Sequence, residues 1–504
     1  MIFKSKSLKS SNTESETKLL TYFEDTTSDN LNLASDDELT LGNEIINKIK
    51  FLLNSQVFQG KNGEFQNIHL YRNEYPKNIM LVGLGKKEDF TLNILRKNIA
   101  KSVKEAVNIK SKSIDLNIGY FLSIMNLDEI VRAICEAVTM ADYKFDTYKS
   151  DKKSSSLEEF NIIYTQEYQL ENVTKGINEG VILGQANILA RTLVNEPANI
   201  LGPIELADEV KKAGDESGFE VEIFDESSIK KLNMQAFLEV AKASEKPPRL
   251  IVMRYNGNPE KKEEIVGLVG KGLTYDSGGL SVKPTVSMVT MKSDMGGAAA
   301  VIGAMTAITK LKVKVNVVAV VASCENMISG NSYRPGDIIG SMGGKTIEIL
   351  NTDAEGRLTL VDAVNYIIEK EYATNVVDIA TLTGAVVSAL GNSTTGVVTN
   401  NDSFYNKLEE ASKMCDEKIW KLPAFDEYKE LIKSDVADLK NVGGKKAGTI
   451  TAGLFIGEFV QNKPWLHLDI AGTSWAEKDS NYESKGGTGV GARLLYHLIK
   501  QLES

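Results

Sequence analysis

The sequence predicts an α/β protein of two domains. A smaller N-terminal α/β domain precedes a larger C-terminal domain with a central mixed, mostly parallel sheet flanked by helices. Three observations lead there. The chain has 504 residues, more than one core usually organises. Apolar runs of strand length alternate with helical patterns along it, as in βαβ units. Most of the later strand candidates are apolar on both faces, as strands covered by helices should be.

In the first third, NIMLVGLG (78–85) and FNIIYT (160–165) read as buried strands. LRKNIAKSVKEAV (95–107) and LDEIVRAICEAV (127–138) read as helices, the second with Ile130, Ile134 and Val138 on one stripe. Polar KSDKKSSSLEE (149–159) precedes the second strand, and the first domain is expected to span 1–170. A connecting helix is assigned to 171–194, clearest in KGINEGVILGQANILARTLV (175–194), and the second domain to 195–504. The strands expected there are RLIVMRY (249–255), EIVGLVG (264–270), KVNVVAVVA (314–322), TIEIL (346–350), NVVDIAT (375–381) and WLHLDI (465–470). Helices are expected at 296–310, 356–370 and 451–460.

Composition narrows the function. With 42% apolar and 25% charged residues, the chain is not disordered over most of its length. A net charge of −10 argues against nucleic acid or an anionic membrane as the main partner. No apolar run approaches the ~18 residues of a membrane span, and the N-terminus lacks the apolar core of a secretory signal. Cys135, Cys324 and Cys415 form no CxxC and read as buried reduced thiols, which points to the cytoplasm. Only three histidines occur, His69, His467 and His497, so any chemistry must rest mainly on carboxylates, lysines and arginines. His467, on an apolar strand, reads as structural.

Two segments concentrate such groups, and each is expected just past the carboxyl end of a strand, where α/β sheets bind ligands. One is KGLTYDSGGLSVKP (271–284), followed by MKSDMGG (291–297); the other is NTDAEGR (351–357). Together they supply Lys271, Asp276, Lys283, Asp294, Asp353, Glu355 and Arg357. Four crowded carboxylates raise one another's pKa, and two divalent cations would balance them. In an extended segment Asp353 and Glu355 would point to the same side, and a glycine-containing loop could bend Lys271 and Asp276 inward. Blander readings stand beside this one: Asp294 as a cap for helix 296–310, DSGG as a simple turn. A phosphate-binding loop is excluded, because Ile265 and Met80 stand where its first glycine is required.

These segments closely resemble the signatures of the zinc-dependent leucyl aminopeptidase, or cytosol aminopeptidase, family. NEPANILGP (195–203), CENMISGNSYRPGDI (324–338), DIATLTGA (378–385), DLKNVGGKKAGTITAGLFIGEFV (438–460) and WLHLDIAGTSW (465–475) extend the likeness from about residue 180 to the C-terminus. The N-terminal third carries no comparable motif.

The resemblance implies a metal-dependent exopeptidase that releases leucine and other apolar residues from peptides with a free N-terminus, through a hydroxide activated by two zinc ions. Lys271, Asp276, Asp294 and Glu355 would hold the tighter metal. Asp276, Asp353 and Glu355 would hold an exchangeable one, with Mn2+, Mg2+ or Co2+ as alternatives to Zn2+. Lys283 would polarise the substrate carbonyl, and Arg357 would hold a bicarbonate ion as general base. Met291, Ala471 and the TLTGA residues Thr381, Leu382, Thr383 and Gly384 would line the pocket for the first side chain, with ordinary core packing as the alternative for Met291. The resemblance further implies a cytoplasmic homohexamer. Two other functions stand against it. A magnesium phosphoesterase would not use a lysine ligand, since a hard cation prefers oxygen. A DNA-binding regulatory role, known among bacterial relatives, fits poorly with the acidic balance.

Overall fold

The computed structural model describes residues 1–8, 15–26, 41–71, 74–121, 124–152 and 155–503. Two compact units emerge: Met1–Gln185 with Asp479–Ser484, and Ala186–Lys478 with Lys485–Ser504. The helix Leu170–Asn195 supplies residues to both.

The first unit contains β1 (Ile2–Ser7), β2 (Thr17–Tyr22), β3 (Phe65–His69), β4 (Asn78–Gly83), β5 (Ser113–Asn117) and β6 (Glu159–Tyr164). They form one sheet in the order β1-β6-β5-β2-β4-β3, parallel except for β3 against β4. Helices Leu92–Asn108 and Leu127–Ala141 lie in one apolar core with Leu19, Met80, Leu116 and Phe160. Helix Asn43–Asn54 contributes Ile45, Ile46 and Ile49 to a second core with Leu20, Ile79 and Leu81. A sheet with apolar side chains on both faces needs both layers.

The second unit is built on eight strands: β7 (Glu220–Phe224), β8 (Arg249–Asn256), β9 (Ile265–Asp276), β10 (Asn316–Asn326), β13 (Asn375–Ala380), β14 (Thr395–Thr399), β15 (Ile419–Lys421) and β17 (Trp465–Asp469). Between them fall the two-residue strands β11 (Ile338–Ile339), β12 (Ile347–Glu348) and β16 (Leu439–Lys440), which make a separate small sheet. The large sheet runs β15-β14-β17-β13-β9-β10-β8-β7, with β17, β13, β9 and β10 mutually parallel. It is the mixed, mostly parallel sheet the sequence predicts.

Helices Gly296–Lys310 and Gly356–Glu369 cover opposite faces of β9. A side chain at Gly270 would meet the backbone of Ala298, whereas one at Gly267 would meet Ile367 and Ala373. Strand β9 leads through the first helix to β10, while β13 lies on its other side. The chain therefore reverses direction across the sheet at β9, which opens a crevice at the carboxyl ends of the strands.

Two expectations are corrected. TIEIL (346–350) is not a central strand: only Ile347–Glu348 is extended, in the small sheet. The apolar run is too short and too close to a turn to enter the large one. Strand β9 does not stop at residue 270 but continues through Lys271 to Asp276, so both residues belong to the strand and not to a loop.

Candidate dinuclear metal centre

Lys271 and Asp276 are five residues apart, and simple alternation would put them on opposite faces. A β-bulge prevents this. Leu273 pairs with Cys324 and Tyr275 with Glu325, so Thr274 is the extra residue on β9. Lys271, Leu273 and Asp276 therefore share a face with Ala322, Cys324 and Asn326 of β10. That face is covered by helix Gly356–Glu369, and Lys271 is threaded beneath the helix start. A Cβ at Gly356 would lie 2.2 Å from Lys271 Cε, so only glycine fits between Glu355 and Arg357.

Asp353 and Glu355 reach the site differently from the extended segment expected. Residues 352–353 form a turn, and Glu355 is already helical, at φ −83 and ψ −36. The turn itself brings the carboxylates together: ligand oxygens of Asp276, Asp353 and Glu355 lie within 4.8 Å of one another. Asp294 comes from the 3-10 turn Met291–Met295 and does not cap helix Gly296–Lys310. Its Oδ1 instead accepts the Lys271 ammonium at 2.7 Å and the Thr381 hydroxyl at 2.8 Å.

Two lysines divide the cluster. Lys271 Nζ lies 2.7 Å from Asp294 and 2.9 Å from Glu355, and donates to the Thr381 carbonyl at 2.9 Å. Lys283 Nζ lies 2.8 Å from Asp276 and 2.5 Å from Asp353. Four carboxylates against two ammonium groups leave an excess of two negative charges in a largely buried space. Burial foremost, and then the charge of Asp276, push Glu355 up to about 8. Burial likewise raises Asp294 to about 6 and lifts Asp353. Burial acts to lower Lys271, but Asp294, Glu355 and Asp276 outweigh it and hold the ammonium above its ordinary value. Asp294 Oδ2 is buried and accepts no hydrogen bond from the described residues. This is a donor set short of positive charge, with an oxygen to spare. It fits divalent cations, which would reverse the balance and favour loss of the lysine proton.

The neighbouring polar residues escaped the sequence reading. Asn326 Nδ2 donates to Asp276 Oδ1 at 2.8 Å and to the Thr352 carbonyl at 3.0 Å. Tyr333 donates to the same carbonyl at 2.8 Å, and the Thr352 hydroxyl to Gly278 O at 2.7 Å. These bonds tie the end of β9 to the 351–355 turn. The signal available was the run CEN at the end of an apolar strand; its partners are not local in sequence.

The cluster forms the floor of a cleft of ≈ 580 Å³. Met291, Thr381, Leu382, Thr383, Gly384 and Ala471 all line it, as does Arg357. Arg357 is buried, donates Nη1 to Asn441 O at 2.7 Å, and has no hydrogen-bond partner at Nε among the described residues. Burial lowers its pKa to about 10, against the pull of Glu355 and Asp469. His467 is fully buried, with Nδ1 2.5 Å from Asp378 Oδ1. Cys135, Cys324 and Cys415 are buried and lie in no disulfide among the described residues.

Comparison with known proteins places this geometry. Residues 188–496 match the cytosol aminopeptidase family, catalytic domain, and residues 24–152 the N-terminal domain of the same family. The chain is 52% identical over 499 residues to a probable cytosol aminopeptidase of Clostridium perfringens, covering 98% of each. It is 51% identical to one of Alkaliphilus oremlandii, over 90% of this chain and 91% of the relative. Among solved structures, it resembles a mutant tomato leucine aminopeptidase (TM-score 0.87, 33% identity, 99% of this chain and 96% of that one). It also resembles the bottromycin maturation enzyme BotP in complex with Mn (TM-score 0.85, 29% identity, 97% and 100%).

Proposed function

The chain belongs to the cytosol aminopeptidase family and is a metal-dependent aminopeptidase, and from that premise we propose that the lysine–carboxylate cluster holds two divalent cations and releases leucine-like residues from peptide N-termini. The observation that carries this reading is the excess of negative charge around Lys271 and Lys283 at the floor of the cleft.

Lys271, Asp276, Asp294 and Glu355 would hold one cation, and Asp276, Asp353 and Glu355 the other. Zn2+ is the expected metal; Mn2+, Mg2+ or Co2+ are alternatives in the second position. When bound, such a pair supplies Lewis acidity that activates water and polarises the scissile carbonyl. Lys271 serves there as a neutral amine. Lys283, also on the floor of the cleft, keeps its proton and donates to the carbonyl oxygen as charge develops. Arg357, a buried cation whose Nε has no hydrogen-bond partner among the described residues, would hold a bicarbonate ion, which supplies a general base. Met291, Thr381, Leu382, Thr383, Gly384 and Ala471 receive the first side chain of the substrate, and their mostly apolar or methyl-bearing surfaces favour a leucine-like group. A free α-amine would be required because its lone pair can serve as a donor to the cations these residues would hold, whereas an acylated nitrogen offers none, so only terminal residues would be removed.

Among the described residues no helix is long and apolar enough to cross a membrane. We assign the protein to the cytoplasm and expect a homohexamer; light scattering that found a monomer at micromolar concentration would refute that assembly.

The deciding experiment compares leucine amide with its N-acetylated twin, before and after chelation and after addition of Zn2+ or Mn2+. Cleavage of the free-amine substrate alone, lost on chelation and restored by metal, is expected. Lys283→Ala should then lower kcat by about 10²–10³, the usual cost of one oxyanion donor, with metal content unchanged. Cleavage that survives exhaustive chelation, or acts equally on the acetylated amide, would overturn the reading.

A further inference from the structure

Strand β17 ends on Asp469, whose carboxylate is fully buried. It gathers four donors from the cleft wall. Oδ1 accepts the backbone N–H groups of Leu382 at 3.1 Å, Thr383 at 3.4 Å and Ala471 at 3.2 Å. Oδ2 accepts the Thr383 hydroxyl at 2.6 Å. Every one of these partners lines the cleft. All four partners donate to it, which favours the carboxylate, since a neutral acid would turn its own O–H against one of them.

The wall consists of two segments that leave neighbouring parallel strands, with Ala380 of β13 beside Asp469 of β17. Beyond that pair, the backbone bond from Ile470 N to Ala380 O at 2.8 Å also links them. The bonds to Asp469 do the rest of the joining. Thr383 extends the hold. Its hydroxyl oxygen accepts the Val386 N–H at 3.1 Å, which caps helix Gly384–Leu390, and lies 3.0 Å from the Thr449 hydroxyl in helix Gly448–Gly457. At the other end of the segment, Thr381 is bonded to Asp294 and Lys271. The wall is therefore fixed to the metal cluster at Thr381 and to Asp469 at Thr383. Burial raises the pKa of Asp469, and His467, two residues earlier on the same face of the strand, opposes that rise. Asp378 in turn holds His467 at 2.5 Å and accepts the Trp465 indole N–H at 2.6 Å.

We propose that Asp469 is a positioning residue that sets selectivity for the first side chain, by holding Leu382 and Thr383 against Ala471. The inference rests on the reading of this cleft as the site of the substrate's first residue. A branched side chain uses that wall, and a glycine does not. Loosening the wall must cost the first more than the second.

The test measures kcat/KM for leucine amide and glycine amide on the metal-loaded enzyme, with metal content determined for each variant. Asp469→Asn and Thr383→Val should each lower the leucine-to-glycine ratio about tenfold or more, the lower range for a misfit of one small apolar group. Thr383→Ser keeps the hydroxyl, and so the bond to Asp469, and should hold the ratio well above that of Thr383→Val. Equal losses on both amides, or an unchanged ratio in folded Asp469→Asn, would overturn the proposal. Should that variant not fold, the Thr383 pair decides: a ratio that collapses in Val and survives in Ser supports it, and equal ratios in the two sink it. A wild-type enzyme with no preference for leucine amide would refute the reading of the cleft itself, before any variant is compared.

Discussion

Asn326 links two of the chain segments that meet in the cluster: its Nδ2 bonds Asp276 Oδ1 at 2.8 Å and the Thr352 carbonyl at 3.0 Å. One amide thus fixes a carboxylate at the end of β9 and the backbone just before Asp353. Asp276 Oδ1 also accepts the Gly278 N–H at 2.8 Å, which leaves Oδ2 to face the Lys283 side of the site. Groups that orient a ligand in this way typically contribute 10–100-fold to metal affinity. Asn326→Ala should therefore weaken Mn2+ or Zn2+ binding by roughly that factor, read by competition with a chromophoric chelator. An unchanged affinity in the folded variant would mean that Asp276 is held by other contacts.

Arg357 offers a second test. Its Nη1 is bound to Asn441 O at 2.7 Å, while its buried Nε has no hydrogen-bond partner among the described residues. A guanidinium placed so has donors left for an anion. In buffer stripped of carbon dioxide, the wild-type rate should rise as bicarbonate is added back. Arg357→Ala should be slower and flat in bicarbonate. A wild-type rate indifferent to bicarbonate would remove that ion from the proposed mechanism.

Much of the site was legible because its residues lie in short, specific segments. Lys271, Asp276, Asp294, Asp353 and Glu355 could be grouped by charge before any fold was known. The means of grouping them could not. The bulge at Thr274 depends on the register between β9 and β10, and no local pattern records a register. Asn326 and Asp469 were passed over because their partners lie 50 and 87 residues away. TIEIL was read as a central strand because a short apolar run looks the same in a large sheet and a small one. In the first unit, IFKSKS of β1 alternates so weakly in polarity that it gave no signal, although it pairs along its whole length with β6.

Helix Leu170–Asn195 explains a second feature of the sequence, the glycines at 176, 180 and 184. A Cβ at Gly176 would lie 2.7 Å from Asp128 O, and one at Gly180 2.4 Å from Arg132 O, both in helix Leu127–Ala141. The two backbones touch where the glycines fall at intervals of four. Two effects compete in Gly180→Ala. Helix propensity favours alanine by about 1 kcal/mol, and overpacking against an immovable carbonyl costs about 1–3 kcal/mol. Arg132 also belongs to the buried ion cluster with Glu136 and Glu179, so the helix cannot easily retreat. The variant should melt at a lower temperature than the wild type; a higher Tm would show that the helices separate at little cost.

A pH-dependent contribution to stability is expected from Asp362, on helix Gly356–Glu369 and outside the lysine–carboxylate cluster. Its carboxyl is fully buried and accepts the backbone N–H groups of Phe237 at 2.9 Å and Met342 at 2.8 Å. Burial pushes its pKa up to about 7, with those N–H groups opposing it. An unfolded aspartate titrates near 3.9. Between those values the unfolded chain loses its proton while the folded one keeps it, so rising pH favours unfolding. This contribution is intact below about pH 4, declines through the window by up to about 1.4 kcal/mol per pH unit, and is gone above about pH 7. Asp362→Asn cannot titrate. Its amide turns an N–H against one backbone donor, a cost of about 1–3 kcal/mol that is the same at every pH. The deficit in Tm relative to wild type should therefore shrink between pH 5 and pH 7.5, with both proteins metal-loaded. A deficit that stays constant, or widens, would show that the carboxylate is already ionised in the folded protein at pH 5 and is stabilised by its two backbone donors.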